Sequence, residues 1–305
     1  MKQLLTSPIW FLISGSLIVA SIVFFALGGL KLGVDFTGGS ILQVRFTGLR
    51  PTVSEIQEAV TPVLPQAPVV QPAGIQSMVL RSTEMDPETQ GAVIQALTDK
   101  FGEVTEESFS SIGPTIGEEL KQKAVVAILI VLIAIILYIS WAFRAVSIGP
   151  VPSWTYGVAA IVALIHDILL TAGAFAVLGY FYNIQIDSLF VTALLTILGF
   201  SVHDTIVVFD RIRERLRRVK DEPFKETIRE SIRSTAARSL NTSITALLML
   251  LALLLFGGEA IRWFLFALVV GVIVGSYSSI FIASQLLLVF RDALRKTEAE
   301  AEKIS

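Results

Sequence analysis

The chain has 305 residues, of which 53% are hydrophobic and 16% are charged, and its mean hydropathy is +0.72. This composition is too apolar for an ordinary soluble domain and indicates a membrane protein. The absence of cysteine excludes disulfides and thiolate metal sites, and a net charge of −2 argues against general nucleic-acid binding.

Six segments are apolar over about the 20 residues that a helix needs to cross a bilayer. They lie at about 9–30, 124–143, 154–177, 189–209, 240–256 and 263–290. The first run, of about 22 residues, is longer than the apolar core of a cleaved signal peptide, so we expect it to remain as a membrane span.

Residues 31–120, between the first two spans, have the periods of a small soluble α+β domain. Four stretches are typical of strands: 41–46, 68–70, 77–82 and 104–109. Residues 54–64 and 86–102 have a helical period, with Ser54 and Asp86 as the expected N-caps. The order β-α-β-β-α-β predicts a ferredoxin-like layer. Its twelve acidic and five basic residues argue against a phosphate or nucleic-acid site.

The stretch GVDFTGGS, residues 33–40, stands at the entrance to this domain. Three glycines near an aspartate suggest a nucleotide-binding loop, but no Lys-Ser or Lys-Thr pair follows and we expect no helix to open there. The stretch therefore predicts a turn, in which glycine supplies tight backbone geometry.

Two carboxylates, Asp167 and Asp204, fall well inside the apolar spans, and each follows a histidine, His166 or His203. A carboxylate within a bilayer costs about 2.5 to 3.5 kcal/mol on insertion scales, so its default interpretation is functional. The alternative is a hydrogen bond that packs two spans together. Asp204 is the stronger candidate, because Ser201 lies one turn earlier and gives the helix a narrow polar strip.

Three kinds of site could use these aspartate and histidine residues: a metal site, an aspartyl-protease dyad and a proton-transfer site. A metal site is not expected, because adjacent helical positions diverge by about 100° and no further histidine is present. An aspartyl-protease dyad is disfavoured, because Asp167 lies about 20 Å and Asp204 about 9 Å from the inner end of its span. Proton uptake and release by carboxylate and imidazole fit best.

Arg238, at the entry to the fifth span, is the candidate cation for Asp204, and Asn241 follows it closely. Residues 223–239 predict an amphipathic helix on the cytoplasmic surface that leads Arg238 toward the membrane core. Arginine does not deprotonate in proteins, so only the aspartate of such a pair can switch. The alternative is that Arg238 is an ordinary membrane anchor.

The distribution of positive charge predicts the orientation of the chain. Ten of the 24 basic residues lie between the fourth and fifth spans, whereas residues 179–188 in the opposite loop have none. The positive-inside rule places the basic loop, Arg144 and both termini in the cytoplasm, and residues 31–120 outside it. In the last span, Gly271 and Gly275 form a GxxxG pattern that predicts a helix-packing face.

Several stretches in order along the chain resemble SecF subunits of the bacterial SecDF protein-translocation factor, within the resistance-nodulation-division (RND) superfamily. These are GVDFTGG, IGPTIGEEL, ALIHDILLT, GFSVHDTIVVFDRIRE, ARSLNTSIT, FGG and GVIVGSYSSIFIA. They cover both ends and every span but the second. The resemblance assigns the first stretch to a family motif that includes Gly33, Asp35, Phe36, Gly38 and Gly39.

The resemblance implies a subunit that works with SecD and uses the proton-motive force to pull or release preproteins outside the SecYEG channel. It implies Asp204 as the essential membrane aspartate and Arg238 as its arginine, and it leaves His203 doubtful because the family often has asparagine there. The implied partners are SecD, SecYEG, a YajC-type accessory subunit, unfolded preproteins and membrane lipid. Protons are the coupling ion, and we expect no cofactor, nucleic-acid partner or enzymatic activity.

We therefore predict a polytopic α-helical membrane protein of the bacterial inner membrane, with six transmembrane helices and a small extracytoplasmic α+β domain. The predicted regions are 1–30 with the first helix, the domain at 31–120, helices two to six at 121–290, and a cytoplasmic tail at 291–305. A basic cytoplasmic loop is expected at about 210–238. An RND-type exporter of small molecules is the alternative.

Overall fold

The computed structural model describes residues 7–143, 150–219 and 221–304, with side chains described to residue 296. Within these residues, six helical segments are long and apolar enough to cross a membrane, which confirms the predicted number. They are α1 (Ile9–Ala26), α5 (Pro114–Ala142), α6 (Trp154–Tyr182), α7 (Ser188–Arg218), α8 (Phe224–Phe256) and a sixth segment from Glu259 to Lys296. Arg144 lies outside the described residues, so its predicted side of the membrane stays a prediction.

The described contacts divide the chain into two compact units. The membrane unit contains residues 1–31, 127–184 and 189–305, and the α+β unit contains residues 32–126 and 185–188. The boundary after residue 126 falls inside α5, so the helix of the second span begins well before its apolar part.

The α+β unit has the predicted β-α-β-β-α-β order. Its elements are β2 (Gly39–Phe46), α3 (Val53–Val60), β3 (Val69–Ala73), β4 (Ser77–Ser82), α4 (Pro87–Phe101) and β5 (Val104–Ile112). All neighbouring strands are antiparallel in the order β3-β4-β2-β5, which is the split arrangement of a ferredoxin-like sheet. Strand β2 is central, and its Leu42 and Val44 are fully buried with Ile56 and Leu97 of the two helices.

The two helices of this unit begin at capping residues. Asp86 accepts a hydrogen bond from Thr89 N–H at 2.7 Å, which confirms the predicted cap of α4. The prediction that Ser54 caps α3 is wrong: Thr52 is the cap and forms a reciprocal capping box with Glu55. Hydrophobic periodicity does not locate the first turn, whereas the spacing of Thr52 and Glu55 does.

The glycine-rich stretch contains a short helix that was not expected. β1 (Lys31–Leu32) is followed by the four-residue helix α2 (Val34–Thr37), and β1 pairs with β6 (Gln185–Ile186). Gly38 and Gly39, with φ values of +74° and +132°, then turn the chain into β2. The prediction that no helix opens here is therefore wrong, although glycine does supply the turn geometry.

The membrane unit differs from the prediction most clearly at the fifth span. The segment expected as a separate surface helix and the span itself form one uninterrupted helix, α8, of 33 residues. Hydropathy changes along this segment, but no glycine or proline follows Pro223 until Gly257, so the backbone hydrogen bonding continues.

The last span consists of α9 (Arg262–Ser278), a π-helical turn at Ser279–Ala283 and α10 (Ser284–Ile304). A 3-10 turn at Glu259–Ile261 precedes α9, and another, Thr61–Val63, follows α3. π turns place an extra residue in the helix and are frequent at functional sites. Here the turn begins with Ser279, which is fully buried.

Candidate functional site

Asp167, on α6, is fully buried and has three hydrogen-bond partners. His166 Nδ1 lies 2.9 Å from its Oδ1, and the hydroxyls of Ser201 and Ser278 donate to its Oδ2 at 2.5 and 2.8 Å. These partners come from α6, α7 and α9. Asp167 is therefore the point at which three membrane helices are joined by polar contacts.

A chain of hydrogen bonds continues from this aspartate to α1. His166 Nε2 lies 3.0 Å from Ser14 Oγ, which lies 2.6 Å from the hydroxyl of Tyr277. Tyr277 in turn donates to the backbone carbonyl of Trp10 at 3.0 Å. His166 and Ser14 are each 4% exposed, and Tyr277 and Trp10 are partly buried, so this series of hydrogen bonds begins in the interior of the membrane unit.

Asp204, on α7, has a different environment from Asp167. It is 3% exposed, and its Oδ2 has no hydrogen-bond partner in the described part of the chain. The side chain of Ser239 on α8 lies beside it, and the Oγ of Ser239 is likewise buried without a hydrogen bond to any described residue. Asp204 is thus a buried carboxyl with an unused oxygen.

Ser201 corrects the expected relation between the two aspartates. It lies one turn before Asp204, as expected, but its hydroxyl donates to Asp167 rather than completing a strip with Asp204. The bond places Asp167 at the level of Ser201, which is separated from Asp204 by about 4.5 Å of helix rise. The prediction that the two carboxylates lie at very different depths is therefore wrong. The helices are displaced along their axes, which counting from each span's own end does not reveal.

The two aspartates still do not form a dyad. Oδ1 of Asp167 is bonded to His166, and its Oδ2 is bonded to Ser201 and Ser278. None of the described hydrogen bonds joins Asp167 to Asp204. A catalytic dyad requires carboxyls that share a proton. The hydrogen-bond partners, rather than depth, distinguish the two residues.

Arg238 is exposed and lines a cleft of about 580 Å³ together with Asp210 and Glu214 of α7. No ion pair joins it to Asp204 within the described ranges, so the expected pairing of these residues stays a prediction. Arg238 is nevertheless the neighbour in sequence of Ser239, whose side chain lies beside Asp204. Asn241, one turn beyond Arg238, is exposed as well.

His203 is exposed on α7, unlike the buried His166. The neighbouring Asp204 is buried, although it is adjacent to His203 on the same helix. Across the residues whose side chains are described, no cluster of three or more histidine, aspartate or glutamate residues could hold a metal ion.

Gly271 and Gly275 of α9 face α7. A Cβ atom added at Gly271 would overlap the side chain of Ile197, and one added at Gly275 would lie 3.1 Å from the Cβ of Ser201. The two glycines thus allow α9 to approach the part of α7 that contains Ser201.

The glycine-rich turn is a junction within the α+β unit. Asp35 Oδ2 accepts hydrogen bonds from the N–H and the hydroxyl of Ser188, at 2.8 and 2.5 Å, and so caps the beginning of α7. Gly33 N–H donates to the carbonyl of Ile186, and Phe36 is buried. A Cβ at Gly38 would lie 2.7 Å from Pro114 Cα, at the beginning of α5.

Sequence reasoning missed Ser14, Tyr277 and Ser278, although each is a polar residue within an apolar span. That position is a usable signal, because hydroxyl groups inside a membrane generally have partners. What the sequence does not supply is the partner, since Ser14 and Tyr277 are 263 positions apart.

These features define a class of protein: a polytopic α-helical membrane protein with buried carboxyls among its helices and a ferredoxin-like α+β unit after its first helix. Two family models match the chain: "Protein export membrane protein SecD/SecF, C-terminal" at residues 92–293 and "SecD/SecF GG Motif" at residues 23–48.

Similar proteins agree with these matches. The chain is 40% identical to a protein translocase subunit SecF of Thermobaculum terrenum over 96% of each chain. It is 39% identical to that of Anaerolinea thermophila, covering 92% of this chain and 91% of the relative. The crystal structure of SecDF, a translocon-associated membrane protein from Thermus thermophilus, matches 93% of this chain with a TM-score of 0.81 and 32% identity. This chain spans 38% of that SecDF chain.

The chain belongs to the SecF family of protein translocase subunits. The predicted family is therefore confirmed, and with it the multi-pass class of membrane protein.

Proposed function

We propose that this chain is a proton-motive-force-coupled accessory subunit of the Sec protein-export machinery. In this proposal it works with SecD to pull or release preproteins at the extracytoplasmic side of the SecYEG channel. Protons pass through Asp204, and their passage is coupled to movement of the α+β unit. A potential of 100 mV supplies about 2.3 kcal/mol per elementary charge, so repeated proton cycles are required to move a long preprotein.

The unused oxygen of Asp204 is the observation that carries the proposal. A buried carboxyl normally has its oxygens hydrogen-bonded, because an unsatisfied buried polar atom costs about 1–3 kcal/mol. Oδ2 of Asp204 has no such partner among the described residues, whereas Oδ2 of Asp167 accepts two hydroxyl protons. A free oxygen is the atom at which an arriving proton can bind.

Arg238 supports a gating step through its place on α8. Successive residues of a helix are separated by about 100°, so a rotation of α8 by that angle would exchange Ser239 for Arg238 beside Asp204. We propose that ionised Asp204 attracts the guanidinium and that protonation releases it. Because arginine stays charged, the aspartate is the member of the pair that switches.

The exposed polar face of α8 supports SecD as the partner within the membrane. An open groove of about 510 Å³ is lined by Asn241, Thr242, Thr245, Ala246 and Met249. The hydroxyls of Thr242 and Thr245 donate to backbone carbonyls of their own helix, so the exposed amide of Asn241 is the polar group that a neighbouring helix would cover. The match to part of a SecDF chain is consistent with SecD as the source of that helix.

The proposed orientation is that expected from the basic residues, with both termini in the cytoplasm and the α+β unit outside it. Most of the charges that predict this lie along the end of α7 and the beginning of α8, where Arg215 pairs with Glu222 at 2.6 Å and Arg229 with Glu226 at 2.5 Å. The proposed location is the bacterial inner membrane. SecYEG, a YajC-type subunit, unfolded preproteins and lipid remain proposed partners, with protons as the coupling ion and no catalytic residue.

Proton-dependent export into inverted membrane vesicles tests the role of Asp204. Asp204→Asn removes the ionisable group while keeping its size, and we expect it to abolish the stimulation of export by a proton gradient. Arg238→Ala should reduce this stimulation as well. Asp204→Glu, which retains a carboxyl, should preserve part of it.

Asp292→Asn is the matched control, because Asp292 is a carboxylate on α10 that pairs with Arg291 at 2.6 Å. It should leave the stimulation unchanged. Gradient-dependent export at the normal rate by Asp204→Asn, with the subunit present at its normal level, would refute the proposed coupling.

A further inference from the structure

The number of protons needed for the hydrogen bonds between Trp10 and Asp167 can be counted from the donors and acceptors. A serine or tyrosine hydroxyl has one proton to donate, a backbone carbonyl has none, and an imidazole has one proton when neutral and two when charged. Each bond of the chain therefore needs its own proton from one side or the other. Starting at Trp10 and moving inward fixes the donor of every bond as far as Nε2 of His166.

The outer two bonds have only one possible arrangement. The carbonyl of Trp10 can only accept, so Tyr277 uses its single proton in that bond. Tyr277 must then accept from Ser14 across the 2.6 Å contact, and this uses the single proton of Ser14.

The consequence falls on His166. With its proton already given to Tyr277, Ser14 can only accept from the imidazole, so Nε2 of His166 must bear a proton. The 2.9 Å contact between Nδ1 and Asp167 Oδ1 needs a proton as well. The His166–Asp167 pair therefore holds one proton more than a neutral imidazole beside a carboxylate.

We propose that the His166–Asp167 pair is a second proton-binding site of this chain and that its bound proton fastens α1 to α6 and α9 through Ser14 and Tyr277. The inference deepens the proposed function and rests on it for the source of the protons, although the proton count itself does not depend on Asp204. The extra proton resides on the imidazole as an ion pair with the carboxylate, or on Oδ1 of Asp167 beside a neutral imidazole with Nε2–H.

Loss of this proton breaks one bond to α1. The remaining imidazole proton would stay on Nδ1, facing the carboxylate, and Nε2 would become an acceptor. Ser14 would then turn its proton to Nε2, and the single proton of Tyr277 could serve either Ser14 or Trp10 but not both. The link from α9 to α1 is therefore weaker in the deprotonated state.

The surroundings of the pair have few other ionisable groups. The described part of α1 has no charged residue, and α9 contributes only Tyr277 to this region. Among the described residues, α7 contributes Asp204, one turn beyond Ser201, and the exposed His203 beside it, and its basic residues begin at Arg211. Arg238 of α8 is exposed to the cleft with Asp210 and Glu214. Asp204 is therefore the buried ionisable group on α7 that lies closest along the helix to Ser201, the serine bonded to Asp167.

Nitrogen-15 NMR of histidine distinguishes the protonation states, because nitrogens with and without a proton have well-separated chemical shifts. The chain has only two histidines, so His203→Gln leaves His166 as the single labelled imidazole. The full-length chain would be labelled at histidine, reconstituted in lipid nanodiscs and titrated between about pH 5 and 8. The expected spectrum shows either both nitrogens protonated or Nε2–H with a bare Nδ1.

Variants of the serine test the connection to α1. Ser14→Ala removes the acceptor of Nε2–H and should lower the titration midpoint by about one pH unit, the equivalent of one hydrogen bond. Ser14→Thr keeps a hydroxyl and should restore the midpoint. Ser16→Ala is the matched control, since among the described residues the hydroxyl of Ser16 is bonded to its own helix, at Ile13 O. It should leave the midpoint unchanged.

A neutral imidazole with Nδ1–H and a bare Nε2 throughout the titration would overturn the proposal. So would equal midpoints for Ser14→Ala and Ser16→Ala. The same titration on Asp204→Asn separates the two proposals. If export is insensitive to Asp204→Asn but His166 holds its proton, the proposed function fails and this inference stands. If His166 lacks the proton while export depends on Asp204, this inference fails and the proposed function stands.

Discussion

Gly38→Ala is expected to destabilise the α+β unit strongly, because two independent effects act at this position. Gly38 has φ +74° and ψ 161°, a region in which residues with a side chain are strained by about 1–3 kcal/mol. An added Cβ would also lie 2.7 Å from Pro114 Cα and 2.9 Å from Pro114 N. These are backbone atoms, which cannot rotate out of the way, and overpacking of this kind costs about 1–3 kcal/mol.

The two terms together predict a loss of about 2 to 6 kcal/mol. Gly91→Ala is the matched control, because Gly91 lies within α4 and a Cβ there meets no atom within 4 Å. Alanine in a helix interior should stabilise this unit by about 0.5–1 kcal/mol. The same chemical change is thus expected to have opposite signs at the two positions.

Amide hydrogen exchange on the full-length chain in nanodiscs provides the measurement. In Gly38→Ala, the amides of β2 should exchange at least about 30-fold faster, which corresponds to about 2 kcal/mol. In Gly91→Ala, they should exchange at the wild-type rate or more slowly. Equal exchange rates in β2 for the two variants would refute the assignment of strain and close contact to Gly38.

Two further predictions concern α4 and the contact between α7 and α9. The hydrogen bond from Thr89 N–H holds the pKa of the Asp86 carboxyl below its usual value. Its capping contribution is therefore present above about pH 4, the range of the unfolded carboxyl, and is lost as pH falls through the lower folded pKa. Asp86→Asn should remove this pH dependence, measured by amide exchange of α4 between about pH 3 and 5; an unchanged pH dependence would contradict the capping account. Gly271→Ala places a Cβ into the buried Ile197 side chain, whereas Gly199→Ala meets nothing within 4 Å. The first should lower the thermal midpoint of the purified chain, at a cost of about 1–3 kcal/mol, and equal midpoints for the two variants would contradict close packing there.

Local patterns predicted the elements whose causes are local. The six spans follow from apolar length, and α4 follows from Asp86, Pro87 and Gly102, which mark its two ends. The first turn of α3 was misplaced because hydrophobic period outweighed the Thr52–Glu55 capping box in the prediction. The continuity of α8 is not predicted, because a change in hydropathy was taken to mark the end of a helix. Hydropathy indicates which solvent surrounds a segment, whereas backbone hydrogen bonding determines where the helix ends.

The candidate site could be predicted only as separate residues. Asp167 and Asp204 were found because a carboxylate in an apolar span is unusual whatever surrounds it. The difference between their environments could not be predicted from the sequence. Asp167 has three hydrogen-bond partners from three helices, and Asp204 has an unused oxygen. Both facts depend on how α6, α7, α8 and α9 are displaced along one another.

By itself, the sequence determined the family, the number of spans, the ferredoxin-like order of the α+β unit and the unusual carboxylates. These features arise from composition, period and motif, which are properties of neighbouring residues. Only the tertiary structure decided that Ser14 meets Tyr277, that Ser201 serves Asp167, and that Asp35 caps α7. Such contacts join residues far apart in the chain, and a single residue of helix displacement or rotation would change each of them.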